Sequence, residues 1–274
     1  MDLNTLSDNY KQLRSACCSD RGLYRGNNED NIYFDGKYLK PESRGTGGIL
    51  SASYDVPLDA DESGVLFAVF DGIGGSKYGE VASYIAAHTA DAFRSMILDY
   101  VDGNDPDLIV SSLDMLYEDM NIAVFHGSKE FDAYHMGTTA VSLFLYNGHA
   151  WCSNAGDSRC YLLRDGRFSR ISEDHSTEPA MNALGFSGFK PQLTQYIGMD
   201  PAEDQLIASH AVLPFRRGDT FLLCSDGLTD MVSEDMICQI LSVETSPEDS
   251  AAALIRTANE NGGLDNISVI VIRI

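Results

Sequence analysis

The stretch that decides the fold is residues 65–75, which read VLFAVFDGIGG. Its first six residues are all apolar, and such a run predicts a strand that is buried on both faces of its sheet. Asp71 follows this strand at once and is itself followed by a glycine. The stretch therefore predicts a core strand that ends in a carboxylate.

Two further apolar strands carry an aspartate at one end. Residues 220–224 are followed by Ser225 and Asp226, and Asp265-Asn266 precedes the run 267–272. A fourth acid, Asp157, lies at the tip of a predicted hairpin. One Asp-Gly pair is usually a turn, but carboxylates gathered at one edge of a core repel each other, and a divalent cation removes that repulsion. Oxygen ligands without convergent Cys or His favour Mg²⁺ or Mn²⁺ over Zn²⁺.

The composition indicates a globular protein with a strongly acidic surface. Of 274 residues, 44% are hydrophobic, and 19 Lys and Arg against 41 Asp and Glu give a net charge of −22. This charge repels phosphate backbones and anionic lipid, so nucleic-acid and membrane-surface proteins are disfavoured. We find no secretory signal, no long apolar run and no Cys-x-x-Cys pair among the six cysteines, and therefore predict a cytoplasmic protein with reduced thiols.

The order of strands and helices predicts a single α+β domain over residues 1–274. Apolar residues at helical spacing predict a helix over 79–100 and another after Pro106. Asn-Gly and Asp-Gly turns separate short strands between residues 138 and 166. Hairpins combined with paired helices predict antiparallel sheets covered by helices. Residues 36–64, rich in Gly, Ser, Pro and Asp, are expected to be a surface excursion with little core.

A basic loop near the N-terminus runs into two acids. Residues 19–31 read SDRGLYRGNNEDN and contain Arg25, Glu29 and Asp30. A guanidinium group binds phosphate through two parallel hydrogen bonds, which an ammonium group does not. Arg25 is therefore a candidate phosphate ligand, and the alternative is a surface ion pair with Glu29 or Asp30.

Six short motifs extend over nearly the whole chain, from residue 19 to the C-terminus. They are R-x-x-x-E-D at 25–30, D-G-x-G-G at 71–75, Gly137-Thr138-Thr139, Gly156-Asp157-Ser158-Arg159, Ser225-Asp226-Gly227-Leu228 and Asp265-Asn266. Because it contains these motifs in this order and spacing, the chain resembles the PP2C-type (PPM family) metal-dependent serine/threonine protein phosphatases, in their compact bacterial form.

The resemblance implies a fold and a metal centre. The fold is a four-layer αββα sandwich, in which two antiparallel β-sheets are flanked by helices, with a dinuclear Mn²⁺ or Mg²⁺ centre in the cleft between the sheet edges. The resemblance further implies that Asp71 bridges the two ions, that the carbonyl of Gly72 binds one, and that Asp226 and Asp265 bind the other. Asp157, together with Asp226, would hold a third and weaker ion.

The same resemblance implies an activity. Arg25 would bind the substrate phosphate, while Glu29 and Asp30 would bind the ions through water or orient their waters. Gly74 and Gly75 would let the backbone pass close to the ions. The implied reaction is hydrolysis of phosphoserine and phosphothreonine on proteins, in which the metal centre activates water for in-line attack on phosphorus. The implied partners are phosphorylated proteins, substrates of a serine/threonine kinase, and neither nucleic acid nor membrane.

The chain departs from the family pattern in two places. Ile73 stands where animal members have a histidine proposed as general acid, so this position supplies no proton to the leaving oxygen. The flap region, residues 175–204, is short, and only 177–192 precede the L-T-x-x-L-G-like segment. A short flap affects substrate selection more than the chemistry. We interpret His175, at the start of the flap, as a structural hydrogen-bonding residue.

Two other functions use the same residues. A regulatory or scaffold domain would bind phosphoproteins without turnover, but the presence of Asp71, Asp226 and Asp265 argues against a dead site. A phosphatase for a small phosphorylated metabolite would need a different cleft, because a broad and shallow one favours protein substrates. The sequence does not reveal the shape of the cleft.

Overall fold

Two packed antiparallel sheets with helices outside them form the described part of the chain in the computed structural model. This arrangement is the four-layer αββα sandwich, so the predicted α+β fold is confirmed. The structure describes residues 12–40, 50–57, 64–73, 78–100, 106–133, 136–184 and 191–274.

The strands divide into a six-stranded and a five-stranded sheet. In chain order they are β1 (Gln12–Asp20), β2 (Asn31–Phe34), β3 (Leu50–Pro57), β4 (Val65–Phe70), β5 (Ala140–Tyr146), β6 (His149–Ala155), β7 (Arg159–Arg164), β8 (Arg167–Arg170), β9 (Ser209–Pro214), β10 (Thr220–Cys224) and β11 (Ile267–Arg273). The six-stranded sheet has the order β3-β1-β11-β10-β7-β8, and the five-stranded sheet has the order β2-β4-β5-β6-β9.

The helices lie on the outer faces of the two sheets, apart from one short helix that has no buried residue. They are α1 (Gly79–Tyr100), α2 (Pro106–Glu130), α3 (Glu178–Ala183), α4 (Asp226–Thr229), α5 (Glu234–Val243) and α6 (Pro247–Glu260). The first two pack on the five-stranded sheet, and α4, α5 and α6 pack on the six-stranded sheet. None of the helices that the structure describes has the length and apolar content that crossing a membrane requires.

Strand β4 lies between two hydrophobic layers. Phe67 and Val69 pack between the two sheets, whereas Leu66 and Phe70 point to the opposite face and pack against the helical layer of α1 and α2. All six residues of the strand are buried. Because successive side chains of a strand alternate between its faces, a run without polar residues is what this central position demands.

The predicted surface excursion at residues 36–64 is wrong in one respect. Strand β3 lies inside this range and pairs with β1 from Leu50 to Pro57, as the edge strand of the six-stranded sheet. Every second residue from Leu50 to Val56 is apolar, which is the strand period, but the Gly-rich and Asp-rich sequence around it masked the signal. Residues 41–49 and 58–63 of the predicted excursion lie outside the described residues.

A buried tyrosine connects α2 to the five-stranded sheet. The hydroxyl of Tyr117 donates a hydrogen bond of 2.6 Å to the carbonyl oxygen of Ser153 on β6, and it lies 3.1 Å from the hydroxyl of Ser142 on β5. Tyr117 is fully buried, so these partners replace the water that the hydroxyl loses on folding.

Replacing Tyr117 with Phe should lower the free energy of unfolding by about 1–2 kcal/mol, because the carbonyl of Ser153 loses a buried donor. Urea denaturation measures this change. Tyr24→Phe is the matched control, since Tyr24 is 73% exposed, and its midpoint should equal that of the unmodified protein. An unchanged midpoint for Tyr117→Phe would show that the hydrogen bond does not stabilise the fold.

Candidate active site

The structure brings four of the predicted acids to one end of the sandwich. Asp30 directly precedes β2, Asp71 follows β4, Asp157 lies in the turn between β6 and β7, and Asp226 begins α4 after β10. The charges of Asp30, Asp157 and Asp226 all act on Asp71. We call these four residues the acid cluster.

Burial and mutual repulsion disfavour the charged forms of the acid cluster. Burial raises the pKa of Asp71 well above its ordinary value, and the neighbouring charges and a hydrogen bond with the carboxyl of Asp226 raise it further. Burial, followed by the charge of Asp226, raises the pKa of Asp157 to about 7. Burial also raises the pKa of Asp30 to about 7, against the hydrogen bonds that its carboxylate accepts.

The carboxylate oxygens of the acid cluster are chemically suited to bind a divalent cation. Oδ2 of Asp30 accepts a hydrogen bond of 2.8 Å from Ser225, but Oδ1 is buried without a hydrogen-bond partner. Asp71 and Asp226 are close enough to share a proton, which a cation would replace. All these donors are oxygens, as Mn²⁺ and Mg²⁺ prefer. Among the described residues, no three acidic, His or Cys side chains are already arranged to hold an ion, so the individual ligand assignments stay predictions.

A pair of threonines holds the backbone at Asp71. The amide of Thr139 and the hydroxyl of Thr138 each donate a hydrogen bond of 2.8 Å to the carbonyl oxygen of Asp71. The amide of Asp71 in turn donates to the hydroxyl of Thr139, which also lies 2.6 Å from the hydroxyl of Ser158. The threonine motif thus fixes both Asp71 and the turn that carries Asp157, a role that the sequence did not reveal.

Asn266 attaches the N-terminal loop to the start of β11. Its side-chain amide donates to the carbonyl oxygens of Arg21 and Asn27 at 2.8 and 2.9 Å, and its oxygen accepts from the amide of Glu29 at 2.8 Å. A carboxamide carries both the donors and the acceptor that these three contacts need. In the sequence Asn266 stands out only as part of a motif, and its positioning role depends on partners about 240 residues away.

Arg25 forms an ion pair with Asp265. Its Nη2 donates to Oδ2 of Asp265 at 2.5 Å, and both side chains are partly exposed. The ion pair considered from the sequence was with Glu29 or Asp30, so the structure corrects the partner. The charge of Asp71 also acts on Arg25, which puts the guanidinium group close to the acid cluster.

Glu29 lies against two glycines beside the acid cluster. A Cβ atom on Gly72 would come within 2.5 Å of the carbonyl oxygens of Glu29 and Gly79, and a Cβ on Gly79 would lie 2.8 Å from Oε2 of Glu29. The backbone at Gly72 therefore lies so close to Glu29 that only glycine fits at this position. Burial, followed by the charge of Glu80, raises the pKa of Glu29.

The structure places the two departures from the family pattern, Ile73 and the flap region that begins at His175. The amide of Ile73 donates to the carbonyl oxygen of Gly137 at 2.9 Å, which fixes the backbone two residues after Asp71. His175 exchanges two hydrogen bonds with the backbone of Gly156 and a third with the hydroxyl of Ser209, in agreement with a structural role. Residues 74 and 75, and residues 185–190 of the flap region, lie outside the described residues.

Comparison with known proteins identifies the family. A family model described as protein phosphatase 2C matches residues 44–180. The chain belongs to the protein phosphatase 2C family. The serine/threonine phosphatase Stp of Listeria monocytogenes serotype 4b is 31% identical over 268 residues, which cover 93% of both chains. The predicted enzyme class, a PP2C-type serine/threonine protein phosphatase, is confirmed.

Solved structures of bacterial phosphatases share the fold of this PP2C chain. The catalytic domain of the phosphatase PstP, in a crystal structure with two manganese ions, is 29% identical with a TM-score of 0.72, covering 96% of this chain and 98% of that one. The phosphatase Stp1 of Staphylococcus aureus is 25% identical with a TM-score of 0.74, covering 95% and 94% of the two chains.

The raised pKa values predict that the metal-free protein loses stability as the pH rises from 5 to 8. Folded Asp30 and Asp157 keep a proton up to about pH 7, whereas the unfolded chain releases it near its ordinary value of 3.8, so proton loss opposes folding in this window. Thermal unfolding of the EDTA-treated protein should therefore show a falling Tm, and added Mn²⁺ should raise the Tm most at pH 8.

Asp157→Asn should raise the Tm of the metal-free protein at pH 8 by about 2–4 °C, because it removes one repelling charge. Glu203→Gln is the matched control, since it removes one exposed carboxylate elsewhere, and it should leave the pH dependence unchanged. A Tm that rises between pH 5 and pH 8 would contradict the proposed repulsion.

Proposed function

We propose that this chain hydrolyses phosphoserine and phosphothreonine on proteins at a dinuclear Mn²⁺ or Mg²⁺ centre held by members of the acid cluster together with Gly72 and Asp265. The observation that carries the proposal is that four carboxyl groups lie together, repel one another and have raised pKa values. A bound cation would offset the repulsion and lower these pKa values. The two manganese ions in the related PstP catalytic domain support it.

The ions would be held by residues from four strand ends. Asp71, the carbonyl of Gly72, Asp226 and Asp265 would hold the two ions, and Asp157 with Asp226 would hold a third, weaker one. When bound, the ions supply electrostatic stabilisation of the phosphoryl group and an activated water for in-line attack on phosphorus.

The remaining residues would bind and orient the reactants. Arg25 lies at the mouth of the acid cluster, where its partly exposed guanidinium would hold the substrate phosphate, and Asp265 fixes its orientation through their hydrogen bond. Oδ1 of Asp30 is a buried acceptor without a partner, and it would orient a water together with Glu29. Ile73 cannot donate a proton, so the proton on the leaving oxygen comes from another source.

The proposed substrates are phosphorylated proteins, products of a serine/threonine kinase. The proposed location is the cytoplasm. In support of this location, all six cysteines are free, and five of them are buried in the core, as expected where thiols stay reduced.

Hydrolysis of p-nitrophenyl phosphate and of phosphothreonine peptides should require added Mn²⁺ or Mg²⁺ and stop in EDTA, since oxygen ligands hold these ions loosely. Asp71→Asn or Asp226→Asn should lower kcat at least about 10²-fold, because each removes charge that holds the ions. Asp165→Asn, an exposed carboxylate in the turn between β7 and β8, is the control and should keep its rate. Full activity in EDTA, with the metal content verified as nil, would refute the proposal.

Arg25→Ala should raise KM about 10-fold with a smaller change in kcat, because a clamp on the phosphate of both substrate and transition state contributes uniform binding. The assay uses saturating Mn²⁺, so that release of Asp265 does not itself limit the rate. Arg256→Ala, an exposed arginine on α6, is the matched control. Kinetics of Arg25→Ala identical to those of the control would leave Arg25 as a surface ion pair only.

A further inference from the structure

Each partner of the Arg25–Asp265 ion pair follows an exposed apolar residue. Leu23 is 65% exposed and Tyr24 is 73% exposed just before Arg25, and Leu264 is 52% exposed just before Asp265. Single exposed apolar residues are ordinary on protein surfaces, but a group of them beside a site marks a binding surface. We call Leu23, Tyr24 and Leu264 the apolar rim.

The two segments that carry the apolar rim are in direct contact. The amides of Leu23 and Tyr24 donate to the carbonyl oxygen of Gly263 at 2.8 and 3.3 Å. A Cβ atom on Gly263 would lie 2.9 Å from Cγ of Leu23, and a Cβ on Gly22 would lie 2.1 Å from the carbonyl oxygen of Asp265. The backbones of the two segments that carry the rim are therefore held together before any partner binds.

A phosphoprotein bound at Arg25 would bring its neighbouring residues within reach of the apolar rim. One residue of extended chain spans about 3.3–3.6 Å, so residues one to three positions from the phosphorylated side chain reach about 3–11 Å from it. Leu23, Tyr24 and Leu264 are within two residues of the ion pair along their own segments. A flanking side chain of the substrate that meets them exchanges exposed apolar surface for buried surface.

We propose that the apolar rim binds an aliphatic or aromatic side chain located one to three residues from the phosphoserine or phosphothreonine of a protein substrate. The proposal rests on the proposed function, because it uses Arg25 as the phosphate site. It makes the rim a determinant of substrate specificity. The preference comes from apolar contact and not from charge, so it should persist at high ionic strength.

The test compares phosphothreonine peptides that are identical except for Leu or Ser at one flanking position. The readout is the ratio of kcat/KM for the Leu peptide to that for the Ser peptide, measured within one protein so that the folded fraction cancels. At the best position the ratio should be about 10 for the unmodified protein. It should fall to about 1–2 in Leu264→Ser combined with Tyr24→Ser.

Val243→Ser is the matched control. Val243 is 68% exposed on α5, away from the ion pair in sequence, and its replacement should keep the ratio of about 10. Fluorescence anisotropy gives the corresponding ratio of Kd values for the Leu and Ser peptides. The labelled peptides for this measurement carry a non-hydrolysable phosphonate. The binding experiment tests the proposal even if the protein shows no turnover. Hydrolysis of p-nitrophenyl phosphate, which has no flanking residues, tests the proposed function alone.

A ratio near 1 at every flanking position, in kinetics and in binding, would overturn the proposal. A ratio that survives in Leu264→Ser with Tyr24→Ser would also overturn it, because the preference would then reside elsewhere. Light scattering at increasing protein concentration examines a second copy of the chain as the occupant. A dimer that these substitutions dissociate, with a peptide ratio near 1, would assign the rim to self-association instead.

Discussion

Repulsion between carboxyls that share a partly desolvated space is the constraint around which this phosphatase is built. At an effective dielectric of about 20, two unit charges 4 Å apart repel by about 4 kcal/mol, which would push flexible segments apart. Here the backbone at Asp71 is fixed by Thr138 and Thr139, and Oδ2 of Asp30 is held by Ser225. Because these contacts resist relaxation, the repulsion persists in the folded protein, and in the proposed function a bound cation would relieve it.

Close backbone packing makes this arrangement possible. Gly227 follows Asp226, and a Cβ atom there would come within 2.0 Å of the carbonyl oxygen of Asn266. Gly72 has the same restriction beside Asp71. Glycine after the aspartate is thus needed where two chain segments come this close. The Asp-Gly dipeptide therefore has two uses in this chain, as an ordinary turn and as part of the acid cluster.

The fold and the acid cluster were predictable from the sequence because their signals are local. The strand at residues 65–70 is uniformly apolar, and its aspartate follows directly, so both the buried position and the carboxylate at its end can be read from one stretch. Strand β3 escaped detection because its alternation is short and surrounded by loop-forming residues. The partner of Arg25 and the three contacts of Asn266 join residues about 240 positions apart, and no local pattern encodes such pairs.

The pairing of β1 with β11 also sets when the site forms during synthesis. Strand β11 joins β1 to β10, and Asn266 just before it secures the loop at residues 21–29. Synthesis from Asp71 up to and including Asp265 adds 194 residues, which takes roughly 10 to 40 s at ribosomal speed. A growing chain that has not yet reached Asn266 therefore lacks the contacts that hold the loop at residues 21–29.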